Sequence, residues 1–150
     1  MKLYIVGFSR AGKSTLGKSL AQHLKLPFID TDLLIEAHTK QSIAEYVASS
    51  GWDAFRTLER QILQELGEAS PPLPASKLSQ IVACGGGIVE LAENRVFLRK
   101  QRVIWLNPSW ELILSRLQKE PSALCRYYRD DELHDLYLKR YPLYLEVISP

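Results

Sequence analysis

Sulfur chemistry has little to work with in this chain. It holds two cysteines, Cys84 and Cys125, far apart and outside any C-x-x-C pair. They suit reduced thiols in a cytosolic protein better than a disulfide framework. The three histidines, His23, His38 and His134, show no ligand spacing with one another or with the cysteines, so no zinc site is expected. Charge of one sign is scarce as well. A net charge of +2 over 150 residues leaves no broad basic footprint for nucleic acid, although a small anionic ligand needs only a local cluster. Long apolar runs are missing: the N-terminal LYIV is far too short for a signal peptide or a membrane span, and it runs straight into a glycine loop. No internal repeat or low-complexity tract breaks the chain. At 150 residues the chain predicts one globular domain over residues 1–150, with a cytoplasmic location as the default and no nucleic-acid or membrane partner. A monomer is expected, although nothing in the sequence fixes the oligomeric state.

What is present alternates. Lys2 to Val6 is a short apolar run with β-branched and aromatic character, ended by Gly7, and predicts a buried strand. Leu16, Leu20, Ala21 and Leu24 then recur at helical spacing until Pro27. PFID predicts a second strand, followed by a helix through LLIEAH. SIAE at 42–45 has the S-x-x-E pattern of a capping box, so a new helix is expected there. Phe55, Leu58, Ile62 and Leu66 make one apolar helical face. PPLPAS at 71–76 reads as a loop. IVAC and VIWL predict strands at 81–84 and 103–106, and NPSWE opens a helix to about Gln118. The polar stretch from Lys119 to Glu132 has no period. A last amphipathic helix carries Leu133, Leu136, Tyr137 and Arg140, with an interruption expected at Pro142. Short continuous apolar strands alternating with helices predict an α/β fold, a parallel sheet covered by helices on both faces. Ligands in such folds bind at the carboxyl ends of the strands, where both glycine clusters fall.

The first cluster, GFSRAGKS at 7–14, matches G-x-x-x-x-G-K-[ST] between a predicted strand and a predicted helix. Glycines let the backbone curl so that successive N–H groups point at phosphate oxygens, and the helix N-terminus adds positive partial charge. Lys13 is expected to reach the β- and γ-phosphates, and the Ser14 hydroxyl to ligate Mg²⁺. The loop predicts a nucleoside triphosphate and leaves the acceptor open.

Asp30-Thr31-Asp32 follows the second strand. Carboxylates at i and i+2 of an extended segment share one side, so one could face a metal and the other a substrate hydroxyl. The alternative is that Asp32 or Thr31 caps the next helix. Arg56 and Glu59 are three apart on a helix and share a face, where helix geometry alone favours an exposed ion pair over a site. Gly85-Gly86-Gly87 sacrifices backbone entropy after a buried strand, which fits either close approach of the backbone to a ligand or a tight turn. Arg140 alone reads as a surface arginine.

In their order along the chain, GFSRAGKST, FIDTDLLIE, SIAEYVASSGWDAFRTLE, ACGGGIV, VIWL and KRYPLYLEV resemble the shikimate kinase family from residue 3 to about 148. D-T-D, F-R-x-x-E, the triple glycine and R-x-P-L-Y separate it from gluconate and nucleoside monophosphate kinases. The resemblance implies a three-layer P-loop kinase fold and ATP- and Mg²⁺-dependent phosphorylation of the 3-hydroxyl of shikimate, on the way to chorismate and the aromatic amino acids. It implies that Asp32 is the base, that Asp30 holds metal-bound water, and that Lys13 is catalytic. Ser9, Arg10, Ala11, Gly12, Lys13, Ser14 and Thr15 would bind ATP. Arg56 and Arg140 would grip the shikimate carboxylate, Gly85, Gly86 and Gly87 would frame the substrate, and Glu59 would orient Arg56. A non-catalytic shikimate or nucleotide sensor, or a kinase for another hydroxy-acid such as gluconate, are the alternatives.

Three features depart from the family pattern. The lid, expected at 119–132, normally carries R-P-L-L, and Pro121 falls near that place without the arginine, leaving Arg126 and Arg129 as candidates. A chain ending at Pro150 predicts four strands where the family has five. Arg10 stands where the family usually has glycine, either adding charge near the phosphates or pointing outward.

Overall fold

The computed structural model describes residues 1–69 and 77–149; the loop expected over 71–76 lies outside the described residues. The chain runs β1 (Lys2–Val6), α1 (Lys13–Leu24), β2 (Phe28–Asp30), α2 (Thr31–Thr39), α3 (Ile43–Glu68), β3 (Gln80–Ala83), α4 (Ala92–Leu98), β4 (Arg102–Trp105), α5 (Trp110–Lys119), a 3₁₀ turn (Ala123–Arg126) and α6 (Asp130–Ile148). The four strands are parallel, in the order β2-β3-β1-β4. The expected α/β architecture and four-stranded sheet are both found.

Both faces of the sheet are covered, which explains the unbroken apolar strands. Along β1, Tyr4 and Val6 point to one face and pack with Leu63, Leu98, Tyr144 and Val147 from α3, α4 and α6. Ile5 points to the other face and packs with Ala21 of α1, with Leu3, Leu16 and Leu20 alongside. The carboxyl ends of β1 and β3 therefore sit side by side, and the loops that leave them face each other.

Three local expectations change. The capping box at Ser42 is present, but the helix it opens continues through the next one, and Gly51 breaks the joint with φ 86 and ψ 166. Pro142 does not interrupt α6, which runs unbroken to Ile148. The carbonyl that its missing N–H leaves free belongs to the exposed Leu138, while Leu136, Arg140, Tyr144 and Val147 anchor both halves of the helix. Helix α4 carried no clear period and was not expected.

Candidate active site

The loops at the carboxyl ends of the strands enclose a cleft of about 1080 Å³, with Ser9 to Thr15 on one wall and Asp32, Arg56, Glu59, the three glycines and Arg140 around the rest. The sequence-predicted residues thus meet in one place, apart from the two lid arginines. Arg126 and Arg129 are exposed and absent from the cleft wall. Arg129 instead sits beside Asp131 and Glu132 at the start of α6.

The phosphate loop curls as its glycines require. Gly12 has φ 102, and a Cβ on Gly7 would run into the Leu106 carbonyl oxygen. Lys13 is buried, and its Nζ donates to the Phe8 carbonyl at 2.8 Å. Burial lowers its pKa to about 8, against the opposing pull of Asp32. Arg10, at φ 62, lines the cleft with the rest of the loop, and its guanidinium is tied to the chain beyond α5. Its Nε donates to the Glu120 carbonyl at 2.8 Å and its Nη2 to that of Pro121 at 3.2 Å. Arg116 was missed from sequence, because a basic residue in the last turn of a helix reads as a complement to the dipole. Its Nη1 donates to the Arg10 and Ala11 carbonyls, both at 3.1 Å.

The D-T-D segment is not extended as expected, since α2 starts at Thr31. Asp30 is the helix cap: its Oδ1 accepts from the Asp32 and Leu33 amides at 2.9 and 3.3 Å. Its Oδ2 accepts from the Ser14 hydroxyl at 2.5 Å. Capping by Asp30 leaves the Asp32 side chain free for the cleft. Asp32 is pushed up to about 7 by burial and by the nearby Glu59 and Asp30 charges, which outweigh Lys13 and Arg56.

Each glycine of the triplet gives way to a different part of the site. A Cβ on Gly85 would lie 2.5 Å from Asp32 Oδ1 and 2.9 Å from Glu59 Oε2. On Gly86 it would lie 2.9 Å from the Ser9 amide nitrogen, and on Gly87 it would overlap the Arg56 guanidinium. None of the three has a positive φ, so close approach, not turn geometry, demands glycine. The backbone is crowded by the site's own parts.

Neither arginine is the surface residue that helix geometry alone allowed. Arg56 Nη1 donates to Glu59 Oε1 at 2.9 Å, with side chains only 15% and 1% exposed. The Arg56 guanidinium also lies over the rings of Trp52 and Phe55, at 5.3 and 5.2 Å. Glu59 Oε2 has no hydrogen-bond partner, and burial raises its carboxyl above the usual value despite Arg56. Arg140, its side chain 3% exposed, donates through Nε to Glu90 Oε1 at 2.7 Å and lies over the Phe8 ring at 5.5 Å. Burial pushes the Glu90 carboxyl up, but the Arg140 hydrogen bond and charge outweigh it and leave it below its ordinary value. Glu90 lies 50 residues from its partner, so no spacing pattern announced it. Tyr144 Oη donates to the Gly86 carbonyl at 2.5 Å and steadies the triplet from behind.

One wall therefore offers amides and a lysine to a polyphosphate. The rest of the lining offers the half-buried Arg56 and the buried Arg140 to a carboxylate, with Asp32 close enough to feel the Arg56 charge.

A family model described as shikimate kinase matches residues 10–149. The chain is 41% identical over 146 residues to a shikimate kinase of Prochlorococcus marinus (strain MIT 9211), covering 96% of this chain and 70% of that protein. It is 38% identical over 151 residues to shikimate kinase 2 of Yersinia enterocolitica, covering 97% and 82%. Among solved structures, the shikimate kinase from Acinetobacter baumannii in complex with shikimate superposes with a TM-score of 0.84 at 36% identity, over 97% of this chain and 79% of that one.

Proposed function

The chain belongs to the shikimate kinase family, and from that premise we propose that its cleft transfers the γ-phosphoryl group of ATP to the 3-hydroxyl of shikimate. The observation that carries this is the meeting, in one cleft, of the phosphate loop, Asp32, the half-buried Arg56 and the buried Arg140.

In this reading Arg56 and Arg140 bind the substrate carboxylate, and each is braced by its own glutamate, Glu59 and Glu90. Bracing fixes the planar forks before substrate arrives, so little side-chain entropy is lost on binding. Asp32 orients the hydroxyl and accepts its proton as the oxygen attacks phosphorus, a task suited to a carboxylate made more basic by burial. Lys13 exchanges the Phe8 carbonyl for the phosphate oxygens that gain charge in the transition state. The amides of the loop from Ser9 to Thr15 hold the rest of the triphosphate.

The donors present suit Mg²⁺. The Ser14 hydroxyl and Asp30 carboxylate converge at 2.5 Å, and both are hard oxygen donors. Among the described residues no group of three or more His, Cys, Asp or Glu gathers as a protein cage. Bound at Ser14 and Asp30, Mg²⁺ would neutralise charge on the β- and γ-phosphate oxygens.

Among the described residues no helix is long and apolar enough to cross a membrane. A monomer working in the cytoplasm is part of the proposal, and the sedimentation of the purified chain tests its first half. A coupled assay with Mg-ATP should give shikimate-dependent ADP release that Lys13→Ala abolishes. Shikimate binding by calorimetry without turnover would show a sensor instead, and a preference for gluconate in a substrate panel would change the acceptor.

A further inference from the structure

Arg10 holds a backbone conformation that favours glycine, and something must compensate for it. Its guanidinium donates to the carbonyls of Glu120 and Pro121, where α5 has just ended. Carbonyls at a helix end lack intrahelical partners and attract cations, so this is a good seat for an arginine fork. The link runs both ways, since Arg116 near the end of α5 donates to the carbonyls of Arg10 and Ala11. Directly beyond these contacts, Pro121 to Leu124 line the cleft, and Leu124 is buried against Phe8, Ile113 and Leu117.

We infer that Arg10 is a positioning residue that fastens the phosphate loop to the start of the segment covering the cleft. Loop and cover then move as one body, and nucleotide in the loop also orders residues 120–126. Arg10 acts on phosphoryl transfer without touching the phosphates. Glycine at this position would relax the backbone and leave both carbonyls to water. Lysine would keep the charge, but its single ammonium lacks the planar fork that places two fixed donors on neighbouring carbonyls. The coupling to nucleotide rests on the reading of the loop given above, whereas the fastening itself does not.

Hydrogen–deuterium exchange on the full chain, with and without Mg-ADP, tests it in Arg10→Gly and Arg10→Lys. Without ligand, residues 119–126 should exchange about fivefold faster in both variants than in the native protein. Unchanged exchange there overturns the fastening whether or not ADP binds. With ADP, both variants should keep protection of residues 7–15 and lose it at 119–126. Retained protection at 119–126, or its rescue by lysine, overturns the coupling. Loss of protection at 7–15 in Arg10→Gly also overturns it, because Arg10 would then act on the phosphates directly. No ADP protection of residues 7–15 in the native protein would count against the nucleotide reading alone. In turnover, both variants should lower kcat about fivefold with the KM for shikimate unchanged; a rise in that KM alone contradicts the assignment.

Discussion

Gly85→Ala separates the chemistry of this site from its stability. Gly85 has no positive φ, so its backbone accepts alanine without strain. Its amide donates to the buried Thr31 hydroxyl at 3.0 Å, which stops the backbone from backing away. The new methyl group would start 2.5 Å from Asp32 Oδ1, and ordinary contact begins near 3.4 Å. The carboxylate must therefore retreat by roughly 0.9 Å, and a displacement of that order in a reacting group costs about 10²-fold in rate. That is ~2.7 kcal/mol of transition-state stabilisation. The atoms that yield are side-chain ends, so the melting temperature should barely move. Gly51→Ala supplies the opposite case: a Cβ there meets nothing within 4 Å, but φ is 86. With ψ 166 as well, that backbone is nearly closed to L side chains, so the variant should lose roughly 2 kcal/mol of stability and keep its turnover. Coupled kinetics, thermal melts and an ADP titration on both variants suffice. A Gly85→Ala enzyme whose kcat stays within threefold of the native value would refute the close-approach account of the triplet.

Other predictions concern charge. Asp32 ionises near 3.9 in an unfolded chain and is pushed up to about 7 in the fold, so stability falls as pH rises between those values. Asp32→Asn should therefore stabilise the protein at pH 8, by an amount on the order of 2 kcal/mol, and not at pH 3, while losing turnover; a melt that shows no such pH dependence contradicts the assignment. In the native enzyme kcat/KM for shikimate should rise with pH through about 7, the value at which Asp32 becomes a base, and a flat profile from pH 5.5 to 8 counts against that role. Glu90→Gln removes the charge that braces Arg140 and should raise the KM for shikimate roughly tenfold with the KM for ATP unchanged. Equal effects on both constants would show that Glu90 serves the fold instead.

Most of the fold was legible because each strand is a continuous apolar run between turn residues, and each long helix carries one apolar face. Helix α4 escaped because seven residues are too few to show a period. Pro142 misled because its cost depends on where the freed carbonyl points, which a local pattern does not contain. The phosphate loop was legible from spacing alone, being a contiguous backbone device. The acceptor side was not, because its parts pair across the chain: Glu90 with Arg140, Gly85 with Asp32, Gly87 with Arg56. Resemblance to a family brought most of those residues forward, but neither it nor spacing gave Glu90, Arg116 or the course of the Arg10 side chain. Those partnerships exist only once α5, α6 and the strand ends are side by side.

The Phe8 carbonyl accepts from Lys13, and the Phe8 ring lies beneath the Arg140 guanidinium at 5.5 Å. One buried residue thus touches both cations, the first through its backbone and the second through its side chain. A substitution that swaps only the ring would loosen the arginine and spare the lysine, whereas one that moves the backbone would disturb both at once.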